Sequence, residues 1–309
     1  MALLIQTAGR TDWPHVVPLV CHHLPPERRT VAACEIAAQL ERGELSADSL
    51  RVVRGPDGIR GAMLHLCLPG HSGVVWPPWA APGPDREAVE DLLVQDALQL
   101  LRSRGVTVCA AELASETFSA SSGPLLRQGF RHVTRLRELA LDLHFGVPAR
   151  LAVKPPTDLQ FLPYGEADPQ QFLATLEETY RDSLDFPEVN EVRTAQDALE
   201  SYRNNGRADP RLWWLGMQGG RPVGVVIVDL ARKPEGNLLY LGVVPSARGQ
   251  GLGRALLAHA ARQSLAAGAS SLTLAVDARN APALRLYRRA GFRSVGQWEV
   301  LLAILRAEG

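Results

Sequence analysis

The stretch Pro245 to Gly253 (PSARGQGLG) constrains this chain more than any other. It follows the apolar run Leu238 to Val244 (LLYLGVV) and precedes a segment with Leu252, Ala255, Leu256 and Ala260 at helical spacing. An apolar, partly β-branched run bounded by turn residues predicts a buried strand, so the loop is a strand-to-helix switch. Gly249, Gly251 and Gly253 allow a tight turn that exposes successive N–H groups beside the positive end of the helix. Such a nest suits a pyrophosphate, and Arg248 and Arg254 add positive charge at its rim. A P-loop nucleotidase needs Lys-Ser or Lys-Thr after the last glycine, where this chain has Arg254-Ala255. A dinucleotide site needs GxGxxG in the first βαβ unit, whereas the glycines here alternate as GxGxG late in the chain.

Around the loop the pattern is strands alternating with amphipathic helices, an α/β architecture. Val223 to Asp229 (VGVVIVD) predicts a strand, the helix from about Gly251 stops at Gly268, and Leu272 to Val276 (LTLAV) is the next strand. A helix over about Ala281 to Arg289 ends at Gly291, and a closing strand lies near Trp298 to Leu305. Trp213-Trp214 opens an earlier strand, whose alternation sends one ring to the core and the other outward. The first half has the same order: a helix from Asp85 to Arg104 stopped by Gly105, a strand from Val106 to Leu113, and a short helix from Pro124 to Gln128 before Gly129-Phe130. Gly105 and Gly268 stand 163 positions apart, and Gly129 and Gly291 stand 162 apart. Two punctuation points at nearly one offset predict an internal duplication. A length of 309 residues also favours two cores. The proline-bearing segment Gly146 to Asp158 is the natural break, so the expected domains are 1–145 and 157–309 about a 146–156 linker.

The run VVPSARGQGLGRALL resembles the acetyl-CoA signature of the GCN5-related N-acetyltransferases (GNAT). Asn280 to Phe292 (NAPALRLYRRAGF) is similar to that family's second motif, matching at Asn280, Ala283, Leu286, Tyr287, Gly291 and Phe292. The resemblance implies two tandem GNAT-like domains, each a mixed twisted sheet flanked by helices, with the first one degenerate. It implies an acetyl-CoA-dependent N-acetyltransferase acting on an amine of a small molecule or peptide. Residue by residue, the backbone of Leu241, Gly242 and Val243 would pair with the pantetheine arm. Arg248, Gly249, Gln250, Gly251, Leu252, Gly253 and Arg254 would hold the pyrophosphate. Asn280 would hydrogen-bond near the thioester, and Tyr287, which also contacts the cofactor, would protonate the leaving thiolate. A phenol with a reference pKa of about 10 is protonated at neutral pH and suits that task. Asn280 also suits a helix N-cap, and Tyr287 a ring packed on the sheet.

The proton acceptor is unassigned. The family often places a carboxylate on or near the strand before the glycine loop, and LLYLGVV has none; Asn237, Glu235, Asp229 and Tyr240 are the polar groups nearby. Glu177, Glu178, Tyr180, Asp182 and Asp185 cluster in LEETYRDSLDFPE, either as an acidic attraction for a cationic amine or as a solvated helix face. A non-catalytic acyl-CoA-binding or regulatory module is the alternative; the missing strand carboxylate favours it and Tyr287 disfavours it. In the first half, the offset puts Asp85 in the place of Arg248, Ala88 at Gly251, Glu90 at Gly253, Phe118 at Asn280 and Leu125 at Tyr287, so a pyrophosphate would meet Asp85, Glu87, Glu90 and Asp91.

Lys and Arg number 33, as do Asp and Glu, which argues against a nucleic-acid or membrane-surface face. Cys21, Cys34, Cys67 and Cys109 have neither disulfide nor zinc spacing and suit buried free thiols. His22, His23, His65 and His71 have no metal-ligand spacing, so no metal is expected. With no signal peptide or membrane span in the sequence, the expected location is the cytoplasm.

Overall fold

The computed structural model describes residues 3–151, 156, 158–190, 193–204, 209–230 and 234–305. The chain divides into two compact units, Met1–Thr134 with Trp298–Gly309, and Arg135–Gln297.

The first unit begins with β1 (Leu4–Thr7), α1 (Trp13–Val20), α2 (Pro26–Arg42), β2 (Leu50–Gly55), β3 (Gly58–Leu68), β4 (Ser72–Val75) and the two-residue β5 (Trp79–Ala80). It continues through α3 (Arg86–Ser103), β6 (Val108–Ala114), the short helices α4 (Phe118–Ser121) and α5 (Gly123–Arg127), and the start of β7 (Arg131–Asp142). One face of its sheet buries Val16, Val20, Leu50 and Leu64 beneath α1 and α2. The other buries Met63, Leu93, Ala97, Leu101 and Leu113 against α3. Arg42 ends α2 before Gly43, and Gly105 at φ +78° follows α3, both glycines supplying a left-handed turn.

The second unit contains β8 (Leu159–Pro163), α6 (Pro169–Tyr180), α7 (Pro187–Asn190), α8 (Ala195–Asn204), β9 (Trp213–Gln218), β10 (Arg221–Asp229) and β11 (Glu235–Val243). Then come α9 (Leu252–Ala266), β12 (Ser271–Asp277), α10 (Ala281–Ala290) and β13 (Arg293–Ile304). α6 starts where the Asp168 carboxylate accepts from the Gln170 N–H and Pro169 sets the first turn. β10 is buried from Val223 through Val228 because α6 and α9 both pack on it. That double cover corrects the expectation for the tryptophans. Alternation does send Trp213 towards Tyr164 and Trp214 towards His259 of α9, but both rings are buried.

Both sheets have one topology. In the first unit the strand order is β1-β2-β3-β4-β6-β13, and in the second it is β8-β9-β10-β11-β12-β7. Each is antiparallel except for a central parallel pair, β4 with β6 and β11 with β12. The parallel ladders even share the offset of 163: Ser72 faces Val108 and Glu235 faces Ser271. The duplication expected from two glycine landmarks is therefore a duplication of the whole sheet.

The compact division differs from boundaries drawn at 1–145 and 157–309. Trp298 to Ile304 of β13 pair antiparallel with β6, and Leu136 to Asp142 of β7 pair with β12. Each sheet is closed by a strand that sequence order gives to the other half. Ser115 Oγ and His132 Nε2 each meet the buried Glu299 carboxylate at 2.8 Å, fixing the last strand into the first unit. The expected 146–156 linker also carries Leu151, which is buried in the core of the second unit; residues 152–155 lie outside the described residues. All four cysteines are free; Cys21 and Cys109 are buried as expected, whereas Cys34 and Cys67 are exposed.

Candidate functional site

β11 and β12 run side by side only from Glu235–Ser271 to Asn237–Thr273. Beyond that they separate, leaving Leu238 to Val243 on one wall of a cleft of about 270 Å³ and Ala275 and Val276 on the other. A parallel pair that splays in mid-sheet leaves backbone polar groups for an extended ligand to complete. Leu241, Gly242 and Val243 line this wall, and Arg248, Asn280 and Tyr287 also line the cleft. Of the expected site residues, Leu241, Gly242, Val243, Arg248, Asn280 and Tyr287 line this one cleft, whereas Gly249, Gln250, Gly251, Leu252, Gly253 and Arg254 are not among its lining residues.

The glycine loop takes the shape anticipated for it. Gly249 and Gly251 adopt φ +79° and +81°, and no side chain caps the start of α9. A left-handed turn ahead of an uncapped helix presents N–H groups to an anion. Gly242 is required for a different reason. A Cβ there would stand 2.7 Å from the Thr179 side chain and 2.6 Å from the Tyr240 hydroxyl, so α6 approaches β11 only because this position is bare.

The two arginines of the loop do not point freely outward. Arg248 Nε donates to the Val243 carbonyl at 3.0 Å, Nη2 to the carbonyls of Thr179 and Arg181 at 3.0 and 2.7 Å, and Nη1 to that of Asp182 at 3.2 Å. It therefore neutralises the negative C-terminal end of α6 while sitting on the glycine loop. Arg254 donates to the Arg150 carbonyl.

Asn280 Oδ1 accepts the Ala283 N–H at 3.1 Å, so the N-cap role is realised, and its side chain also hydrogen-bonds Asp185. Tyr287 is 7% exposed and is positioned by a helix that ends in Gly291 at φ +103°. Burial, followed by the charge of Asp185, pushes its phenol up, which keeps the proton in place at any physiological pH. Tyr240 donates its hydroxyl to Thr179 Oγ1 at 2.6 Å, since that oxygen spends its own proton on the Leu176 carbonyl; burial likewise raises its phenol.

Of the acidic cluster, Asp182 and Asp185 line the cleft, while Glu177 and Glu178 do not. Neither Asn237, Glu235 nor Asp229 lines it. Asp185 Oδ1 accepts the Asp277 N–H at 3.1 Å. Its carboxyl is held above the usual range first by burial and then by the Asp277 charge, against hydrogen bonds from Asp277 and Asn280 and the charge of Arg279. The loop carrying it is strained, with Asp182 and Phe186 both at φ +53°. Arginines hold the loop at both ends: Arg248 at Thr179 to Asp182, and Arg279 through Glu188 of α7, at 2.6 and 2.8 Å. Arg279 also pairs at 2.7 Å with Asp277, whose side chain is wholly buried at the end of β12. Asp277, Arg279 and Glu188 escaped the sequence reading. Their one signal was a charged Asp-x-Arg ending an otherwise apolar strand.

Among the described residues no group of three His, Cys, Asp or Glu is placed to hold a metal ion, and no helix is long and apolar enough to cross a membrane.

Residues 174–292 match the acetyltransferase (GNAT) family model. A mycothiol acetyltransferase of Streptomyces bingchenggensis is 39% identical over 95 residues, a segment covering 30% of this chain and 31% of that protein. The chain thus matches less than a third of that relative's length. A GCN5-related N-acetyltransferase from Sphaerobacter thermophilus aligns over 98% of this chain and 96% of its own, with a TM-score of 0.66 and 21% identity. A tandem GNAT protein from the clavulanic acid biosynthesis pathway aligns over 100% of both chains, with a TM-score of 0.56 and 17% identity. At these identities the two structures speak for the fold, a tandem pair of GNAT-like units.

Proposed function

We propose that this chain, which belongs to the GCN5-related N-acetyltransferase (GNAT) family through residues 174–292, transfers an acetyl group from acetyl-CoA to an amine, most simply that of a small molecule. The observation that carries the proposal is the splay of β11 from β12 into a cleft lined both by Arg248, which heads the glycine-turned loop before the uncapped α9, and by Tyr287. The loop headed by Arg248 suits an anion, and Tyr287 suits a leaving group that needs a proton.

The residues fit the donor on their own chemistry. Leu241, Gly242 and Val243 offer strand backbone to the two amides of a pantetheine arm. Gly249 to Arg254 offer N–H groups to the pyrophosphate, with Arg248 setting the loop against α6. Acetyl-CoA supplies an acyl thioester, an electrophilic carbonyl with a thiol leaving group. Asn280 holds the start of α10, so that Tyr287 presents its proton to the sulfur. The retained phenol favours catalysis over mere binding, because holding coenzyme A calls for no acid at that point.

The acceptor side supports a small amine. The cleft measures about 270 Å³, and Asp182 and Asp185 line it with acidic side chains. The similarity to a mycothiol acetyltransferase agrees with a small-molecule acceptor. The test is thiol release from acetyl-CoA across a panel of amino sugars, polyamines and short peptides, beside calorimetric titration with coenzyme A. Amine-dependent release with one bound coenzyme A per chain is the expected result. Binding without release from any amine would return the chain to the non-catalytic alternative.

A further inference from the structure

We propose that Asp185 is the general base of this site, taking the proton that the attacking amine gives up. The assignment rests on the acyl-transfer function proposed above and supplies the group that the strand before the glycine loop lacks.

Three observations carry it. First, among the acids weighed as proton acceptors or for acceptor recognition, only Asp182 and Asp185 line the cleft that also contains Tyr287 and Asn280. Asp182 is solvent-exposed and its backbone is engaged by Arg248, whereas Asp185 is half-buried and shares a hydrogen bond with Asn280, the cap of the helix bearing Tyr287. Second, the loop is built to hold this carboxylate in place. The Asp185 N–H donates to Ser183 Oγ at 3.1 Å, Asp185 Oδ1 accepts from the Asp277 N–H at 3.1 Å, and the chain takes φ +53° at Asp182 and Phe186 on either side. Arg248 and Arg279 tie down the flanks. Non-glycine residues in the left-handed region on both sides of one acid persist only where neighbouring contacts over-determine them. Third, the surroundings suit a base. Asp277 of β12 faces it with like charge and Arg279 with opposite charge, itself shared with Glu188 of α7. Tyr287 of α10, Tyr240 of β11 and Tyr202 of α8 stand within its electrostatic reach, all with phenols that burial keeps neutral. A carboxyl raised in this way is a stronger proton acceptor, once ionised, than an exposed one.

The step balances without a further reactant. The amine nitrogen bonds to the thioester carbonyl carbon, and its proton passes to a carboxylate oxygen of Asp185. The C–S bond then breaks with its electron pair on sulfur, and the Tyr287 phenol gives sulfur a proton. Asp185 ends with one proton more and Tyr287 with one fewer, and exchange through solvent restores both.

The test compares the full chain with its Asp185→Asn variant in three measurements. These are the pH dependence of kcat from pH 5 to 9, using acetyl-CoA and the best amine of the panel, the Kd for coenzyme A, and Tm against pH. Expected are a fall in kcat of about 10²–10⁴-fold, loss of the acid limb of the profile and an unchanged Kd. The Tm has its own sign. A carboxyl raised on folding favours the folded state when protonated and costs stability as pH rises through its folded value, so the variant holds or gains Tm at pH 7 and loses that advantage on acidification. Equal kcat and equal pH profiles in the two proteins overturn the assignment of Asp185 alone. A variant that loses Tm and coenzyme A affinity together makes Asp185 a brace for α10 and also overturns it. A parent chain that acetylates no amine of the panel overturns this inference together with the function on which it rests.

Discussion

In the second unit β11 continues past its ladder with β12 from Leu238 to Val243. In the first unit the equivalent path stops at Val75, passes through Trp76, Pro77 and Pro78, and resumes as β5. The shared offset of 163 sets Pro77 and Pro78 in the places of Tyr240 and Leu241, yet the pairing beyond them is the same in both units, Gly61 with Ala80 and Gly224 with Val243. At the next landmark Asp85, bonded to Arg60, replaces Arg248, and the buried Glu90, bonded to Arg86 and Arg127, replaces Gly253. Leu125, fully buried, stands for Tyr287. The sheet and its covering helices need apolar faces and ladders, and both units have them. A pyrophosphate and a thioester need backbone donors, positive potential and an acid. Two prolines and a few carboxylates remove those without disturbing the core, because a helix start accepts acids readily and a proline pair costs only hydrogen bonds at a strand break. The first unit has the same fold, and ion pairs of Asp85 and Glu90 stand where the second unit has Arg248 and Gly253.

The sharpest way to break that contrast is at the acid. Tyr287→Phe gives the second unit a side chain as inert as Leu125 and should lower kcat by about 10²–10⁴-fold. The Kd for coenzyme A should stay put, because the ring remains. Equal turnover with chemistry rate-limiting would make the hydroxyl structural.

Gly251→Asp places a carboxylate, of the kind that flanks this position in the first unit, in the loop of the second. Aspartate tolerates a φ near that of Gly251 better than most residues, so the loss comes chiefly from charge placed where phosphates sit. Calorimetry should find coenzyme A binding weakened by about 1.5–3 kcal/mol, roughly 10- to 150-fold. An unchanged Kd would remove this loop from the cofactor site. The same titration of the unsubstituted chain should give one site, and two sites would show that the first unit binds coenzyme A by other means.

A smaller effect is expected from Arg279→Ala, which removes the guanidinium that pairs with the buried Asp277 carboxylate. Breaking a buried pair costs about 3–5 kcal/mol, but Arg279 is 42% exposed, so screening should reduce this to about 1–3 kcal/mol. Thermal unfolding should show a Tm lower by roughly 2–10 °C. An unaltered Tm would mean that Glu188 and Asp277 hold the loop carrying Asp185 without it.

The smallest expected effect is none at all. Asp85→Arg with Glu90→Gly, made beside Gly251→Asp, should give the first unit no coenzyme A site, because Pro78 has no N–H where Leu241 has one. A titration that recovers tight binding would show that charge alone separates the two units.

Much of the second unit was legible in its sequence, since its motifs are local. The strand before Pro245, the turn glycines, the α10 cap at Asn280 and the stop at Gly291 depend on residues within a few positions of one another. Long-range partners were less accessible. Nothing near Arg248 says that its guanidinium lands on carbonyls 66 to 69 residues earlier. Asp185 looked like one acid of several on a helix face, and its distinction comes from Asp277 and Asn280, which only the folded sheet brings close. Trp214 misled because alternation gives opposite faces but not whether each is covered. The exchange of closing strands was hidden for the same reason: both β7 and β13 read as ordinary final strands of their own halves.

That exchange sets a timetable for synthesis. β6 of the first unit is finished at Ala114, but the partner that covers its open edge arrives with Trp298 to Ile304, and 184 residues separate Ser115 from the Glu299 it bonds. At a translation rate of about 5–20 residues per second, that interval lasts on the order of 10–40 s. Residues 135–297 are complete before it ends, so the unit made second is the first able to close. Throughout the wait an unpaired strand edge stands ready for any neighbouring chain on the same messenger.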